Sequence, residues 1–97
     1  MGAPKRVHLH WGDGRVAEEV RVPTEYHVAV VQLLAMEDGT ELLRFCWYDH
    51  RGRFHRQPLI ADRSTWIEIL ARSETDAPRL YQLLHDPDGA AASVPLA

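Results

Sequence analysis

Residues 48–56 read YDHRGRFHR. Two imidazoles (His50, His55), one carboxylate (Asp49) and three guanidinium groups (Arg51, Arg53, Arg56) fall within this stretch, beside the rings of Tyr48 and Phe54. Metal-free phosphodiester cleavage needs a base, a second proton donor and a cation for the charge that develops around phosphorus. His50, His55 and Arg53 are the candidate catalytic set for that chemistry. The same residues suit contact without chemistry. Guanidinium groups take carboxylate or phosphate through paired N–H donors, and Trp47, Tyr48 and Phe54 offer stacking faces to unpaired bases. Catalysis demands convergence, yet strand alternation sends His55 to the face opposite Phe54 and Arg56. Binding demands only charge and shape. The leading expectation is therefore a partner-binding hairpin. Its contact residues are Arg44, Tyr48, His50, Arg51, Arg53, Phe54 and Arg56, and its partner is a protein or single-stranded RNA.

Charge distribution favours the same segment. The chain of 97 residues carries a net charge of −3, which argues against sequence-independent nucleic-acid binding over its whole surface. Residues 44–56 nevertheless hold four arginines against Asp49 alone, while the segments before and after are both net acidic. Other chemistry finds less support. His8 and His10 alternate to one side of a strand, and His50 and His55 lie near a turn, but nothing supplies the three or four converging ligands of a zinc site. No metal or cofactor is expected. The lone cysteine, Cys46, reads as a small core residue, and a single thiol excludes an internal disulfide or a CxxC pair. Ser64 and Thr65 sit where helix capping is the ordinary task.

These residues must be positioned by strands. RVHLHW alternates, with Val7, Leu9 and Trp11 to one side and His8 and His10 to the other. Gly12-Asp13-Gly14 reads as a turn, and RVAEEVRV places Val16, Val20 and Val22 on one face. Pro23 ends that ladder. YHVAVVQLLAM (26–36) is apolar on both faces and reads as a central strand covered twice. Asp38-Gly39 marks a hairpin turn. In ELLRFCWYD, Leu43, Phe45 and Trp47 share one face, and Leu42, Arg44, Cys46 and Tyr48 the other. Asp49 and Gly52 occupy positions i and i+3 of a type I turn, with Gly52 closing it through a bulge. Asp49 then pairs with Arg53, Trp47 with His55, and Tyr48 with Phe54. RFHRQPLI is the return strand, an edge because of Pro58.

Helices follow. Asp62 or Ser64 caps DRSTWIEILARS, whose stripe is Trp66, Ile67, Ile69 and Leu70. Asp76 caps DAPRLYQLLH, with Pro78 in the first turn and Leu80, Leu83 and Leu84 on the buried side. Strands followed by helices predict an α+β fold: a four- to five-stranded, mostly antiparallel meander with two helices packed on one face.

The stretch from Tyr26 to Arg56, followed by STWIEIL, resembles the small TumE-type toxins of bacterial toxin–antitoxin modules over residues 26–70. Tyr48, Asp49, Gly52 and His55 match that family's Tyr-Asp, glycine and first histidine. The chain carries His50 after the aspartate and Gln57 where the family continues His-x-His. The resemblance implies a small strand–hairpin–helix protein of prokaryotic defence or mobile elements, and the alternative function is a ribonuclease-like toxin of a toxin–antitoxin or defence module using His55 and His50.

At this length and ordinary globular composition the chain makes one domain, placed at 1–86, with a disordered tail over 87–97. No apolar run reaches the roughly 20 residues that span a bilayer, and the N-terminus lacks the apolar core of a signal peptide. A cytoplasmic location is expected. A third reading is a homodimer pairing through the sheet edge.

Overall fold

A computed structural model describes residues 5–10, 12–55 and 59–88. Five strands form one antiparallel sheet in the order β1 to β5: β1 (Arg6–Leu9), β2 (Gly12–Pro23), β3 (Val28–Met36), β4 (Glu41–Tyr48) and β5 (Phe54–His55). Two helices follow, α1 (Arg63–Asp76) and α2 (Pro78–His85). The expected α+β meander with two terminal helices is the fold observed.

Both hairpins around β4 use one device. Met36 pairs with Thr40 across Glu37-Asp38-Gly39, and Asp49 pairs with Arg53 across His50-Arg51-Gly52. The last residue of each turn, Gly39 (φ 91°) and Gly52 (φ 84°), is left-handed, a conformation that glycine adopts without steric cost. Asp38 and Asp49 supply side-chain bonds to the backbone N–H groups that follow them. The resulting register puts Gln32 opposite Arg44; Trp47 lies opposite His55 and Tyr48 opposite Phe54, as the turn chemistry of the second hairpin predicts.

The sheet has two unlike faces. On one, Val20, Val22, Ala29, Val31 and Leu33 pack against Ile69, Ala77 and Leu80 of the helices, with Leu43, Leu59, Trp66, Leu83 and Leu84 around them. On the other, Val7, Leu34 and Met36 form a smaller cluster with Leu9, Val16 and Leu42. Central β3 is therefore buried on both sides, although the described helices cover only one.

Val16 does not share a face with Val20 and Val22 as its spacing suggests. A register shift between Val16 and Glu18 leaves Val16 opposite Leu34 and Glu18 opposite Leu33. The extra residue, Ala17, exchanges inside and outside along β2. It sends Glu19 to the helix-free face. Glu18 lies on the helix side, where its carboxylate accepts the backbone N–H of Leu80 at 2.8 Å.

Four further expectations are revised. Gly12-Asp13-Gly14 is the start of β2, not a turn, because Leu9 already pairs with Gly12. Gly14 is required by close approach: a Cβ there would stand 2.5 Å from the Ala35 carbonyl oxygen. Among the described residues the return strand is Phe54–His55, and Leu59 and Ile60 lie outside the sheet, with Leu59 packed on the helix-side core. Ile67 is exposed, and Ser73 is buried instead beside Ile69, one turn further along the same stripe. Asp62 caps α1, accepting from the Thr65 N–H, but α1 continues through Asp76, so Ala77 begins α2 and offers no side-chain cap. Readings placed on Trp11, on Pro58 and on residues 89–97 of the tail lie outside the described residues. No helix is long and apolar enough to cross a membrane among the described residues.

Candidate functional site

The 44–56 hairpin divides its residues between the two faces and the turn. Arg44, Tyr48 and Phe54 lie on the helix-free face; Trp47 and His55 lie on the helix side; His50, Arg51 and Arg53 lie in or beside the turn. Arg56 lies outside the described residues.

On the helix-free face a chain of contacts crosses all five strands or their flanks. The Arg44 guanidinium sits 4.9 Å from the Phe54 ring centroid, and its Nε donates to Gln32 Oε1 at 2.8 Å. Gln32 Nε2 donates to Glu19 at 2.7 Å. Glu19 also accepts from Arg21 Nε at 2.9 Å. The Arg21 guanidinium lies 4.5 Å over the Tyr48 ring, and Lys5 Nζ donates to the Tyr48 hydroxyl at 2.9 Å. Tyr48 and Phe54 touch at 5.5 Å.

Gln32 is the hub of this chain. It is fully buried in the central strand, where an unpaired amide would be costly, and both ends of its amide are engaged. Burial pushes the Glu19 carboxyl up, but the hydrogen bonds from Gln32 and Arg21 outweigh it and hold the group below its usual range. Glu19 is thus an anion bound among cations. It is the one carboxylate of this chain of contacts, set against Lys5, Arg21 and Arg44. Among the described residues, neither Lys5 nor Arg44 has a carboxylate within ion-pair distance. Beneath them, burial pushes the Cys46 thiol up, which keeps it protonated and unsuited to nucleophilic attack.

The helix side carries a different cluster. His55 stacks on Trp47 with centroids 3.9 Å apart and planes 3° from parallel, and His27 lies 5.5 Å from Trp47 on the same side of the sheet. His55 Nε2 bonds Asp49 Oδ2 at 3.0 Å. Asp49 Oδ1 accepts the backbone N–H groups of Arg51 and Arg53. The bond from His55, and then those backbone donors, lower the Asp49 carboxyl to about 2. His50 is committed elsewhere: its Nε2 donates to the Glu25 carbonyl at 3.0 Å. Of the expected catalytic set, His50 is held by the Glu25 carbonyl, while His55 and the Arg53 backbone N–H both bond Asp49, assigned only a turn role, which also orients His55.

A cleft of about 530 Å³ opens beside the Thr24–His27 turn and the start of α1, with Tyr26, Ile60 and Glu68 in its lining. Among the described residues, no sequence-predicted site residue lines it. His8 bonds Asp13 at 3.1 Å, and no group of three or more His, Cys, Asp or Glu side chains is arranged to hold a metal among the described residues.

Lys5, Arg21, Glu19 and Gln32 were not among the candidate residues. The placement of Gln32 opposite Arg44 follows from counting back from the Asp38-Gly39 turn. The placement of Glu19 and Arg21 does not, since the Ala17 bulge leaves no signature in residue types. Comparison of the chain with protein-family models, curated proteins and solved structures returns no match.

Proposed function

We propose that this protein is a small binding module that takes an anionic partner on the helix-free face of its sheet, with the arms of the 44–56 hairpin at the centre. The observation that carries this reading is the set of three cations, Lys5, Arg21 and Arg44, held over Tyr48 and Phe54 and balanced by one carboxylate. Anchored guanidinium groups lose less side-chain entropy on capturing an anion than free ones. Arg51 and Arg53, exposed at the turn, extend the positive field past the sheet. The single buried thiol fits a reducing compartment, and the cytoplasm is the proposed location.

Retention on a heparin column at low salt tests the reading. A protein of net charge −3 is retained only through a local patch. The wild type is expected to bind, and Lys5→Gln with Arg44→Gln to elute early while still melting cooperatively. Failure of the wild type to bind, or equal retention of the double variant, overturns it.

A ribonuclease-like reading has one observation in its favour, the Asp49–His55 pair, whose fixed carboxylate orients an imidazole as general bases require. It predicts growth arrest on expression and its loss in His55→Ala. Harmless expression together with intact RNA in vitro rejects it. A homodimer through the β5 edge has less support, since among the described residues β5 contributes two paired residues, a short ladder for a second copy.

A further inference from the structure

We infer that the anion this face takes is single-stranded nucleic acid, its phosphates met by Lys5, Arg21 and Arg44 and its bases stacked on the Tyr48 and Phe54 rings with their guanidinium partners. The inference rests on the binding reading above and narrows it from anions in general to one class.

Three features separate this class from an acidic peptide. First, carboxylate recognition needs cations only, whereas here aromatic rings are interleaved with them. Tyr48 and Phe54 are half-buried at a solvated sheet face, each with a cation within about 5 Å of its ring. Base–aromatic stacking uses that arrangement, and arginine adds a cation–π contribution. Second, cations and rings from different strands form one continuous patch: Lys5 Nζ lies 5.3 Å and the Arg21 guanidinium 4.5 Å from the Tyr48 ring centroid, that ring lies 5.5 Å from the Phe54 ring, and the Arg44 guanidinium lies 4.9 Å from Phe54. Lys5 precedes β1, Arg21 is on β2, Arg44 on β4, and Phe54 on β5. Three cations around two adjacent rings suit two stacked bases and the phosphates that join and flank them. Third, the protein is acidic elsewhere. A duplex would bring dense charge against those acidic surfaces, whereas a single strand can meet the cationic patch alone.

Gln32 gives the face its fixed geometry. By engaging Arg44 Nε and Glu19 together, it sets the spacing of Arg44 from Arg21 with an uncharged group. A carboxylate at this position would neutralise Arg44. Gln32 is therefore a positioning residue for the phosphate contacts.

Fluorescence anisotropy with an end-labelled oligouridylate tests the proposal, alongside a duplex RNA of equal length and a labelled oligoglutamate. The oligouridylate is expected to bind more tightly than either. Its log Kd should change with log salt at a slope of about 2, as for roughly three neutralised phosphates on a single strand. Arg44→Gln should lower that slope by about 0.7. Phe54→Leu should leave the slope unchanged while weakening binding about tenfold, the loss of one stacked base. Circular dichroism melts of each variant separate lost binding from lost fold. If oligoglutamate binds as tightly as RNA and Phe54→Leu is neutral, the face is a general anion site: the nucleic-acid assignment falls and the binding function stands. If a folded wild type binds no probe, both fall.

Discussion

Replacing Glu18 by alanine tests how the sheet and the second helix are joined. α2 starts at Pro78 after Ala77, a residue with no side-chain acceptor. The first N–H groups of a helix have no partner within it. Leu80, in that first turn, is fully buried, so water cannot readily serve its N–H. The Glu18 carboxylate does, at 2.8 Å, from a strand 62 positions earlier in the chain. The bond acts as an N-cap supplied by another element. Lost caps cost about 0.5–2 kcal/mol, and an unsatisfied buried donor about 1–3 kcal/mol. A loss of roughly 1.5 kcal/mol follows for Glu18→Ala. For a domain of this size that lowers Tm by roughly 6–12 °C. Glu18→Gln keeps an acceptor and should lose less than half as much. Glu37→Ala, which removes only an exposed 4.0 Å ion pair with Arg6, should change little. Melts followed at 222 nm would decide. If Glu18→Ala melts within the spread of Glu37→Ala, the cross-element cap contributes nothing and the reasoning fails.

Asp49 makes stability depend on pH in a definite direction. Its carboxyl is lowered to about 2 by His55 and by the Arg53 and Arg51 backbone donors, so its ionised form favours the fold. That contribution is present above the ordinary carboxyl value of about 4 and disappears as the pH falls through about 2. The gap in urea midpoint between wild type and Asp49→Ala should close across this window, and a constant gap refutes it. Gly14→Ala should cost roughly 2–3 kcal/mol by overpacking, because its Cβ meets backbone at Ala35 and Met36 Sδ at 2.7 Å. Gly52→Ala meets no atom and should cost about 1–2 kcal/mol through its left-handed backbone alone; chemical denaturation that ranks the two in reverse would contradict both accounts. Gln32→Leu should weaken oligouridylate binding with a smaller loss of stability than a core truncation of Leu34, measured on the same samples.

Much of the fold was legible because its signals are local. The Asp49–Gly52 spacing set a turn, the turn set the register, and the register set which residues of β4 share a face. The division of the site followed as well: alternation alone separates His55 from Phe54. What escaped prediction depends on contacts distant in sequence. Nothing local distinguishes Ala17 as a bulge, so Glu18 and Glu19 could not be assigned to faces, and Arg21 could not be seen to lie over Tyr48. Ile67 fits the helical spacing as well as Ser73 does, and only the helix's placement on β2 decides which is buried. Asp76 is a good capping residue that α1 absorbs, because Glu18 already serves the next helix. His27 had no distinguishing context until β3 brought it beside Trp47.

The bulge at Ala17 also bears on how this protein can change over generations. Along β2, residues that build the interior (Glu18, Val20, Val22) alternate with those that face outward (Glu19, Arg21). Substitutions at the outward positions can retune what the surface contacts while the interior stays as it is. Changes of length have no such freedom. Loss of one residue at Ala17 would slide one half of the strand by a place against β3 and exchange its two sets wholesale, turning valines to solvent or charges to the core. Diversification of this strand should therefore proceed by replacement and almost never by insertion or deletion.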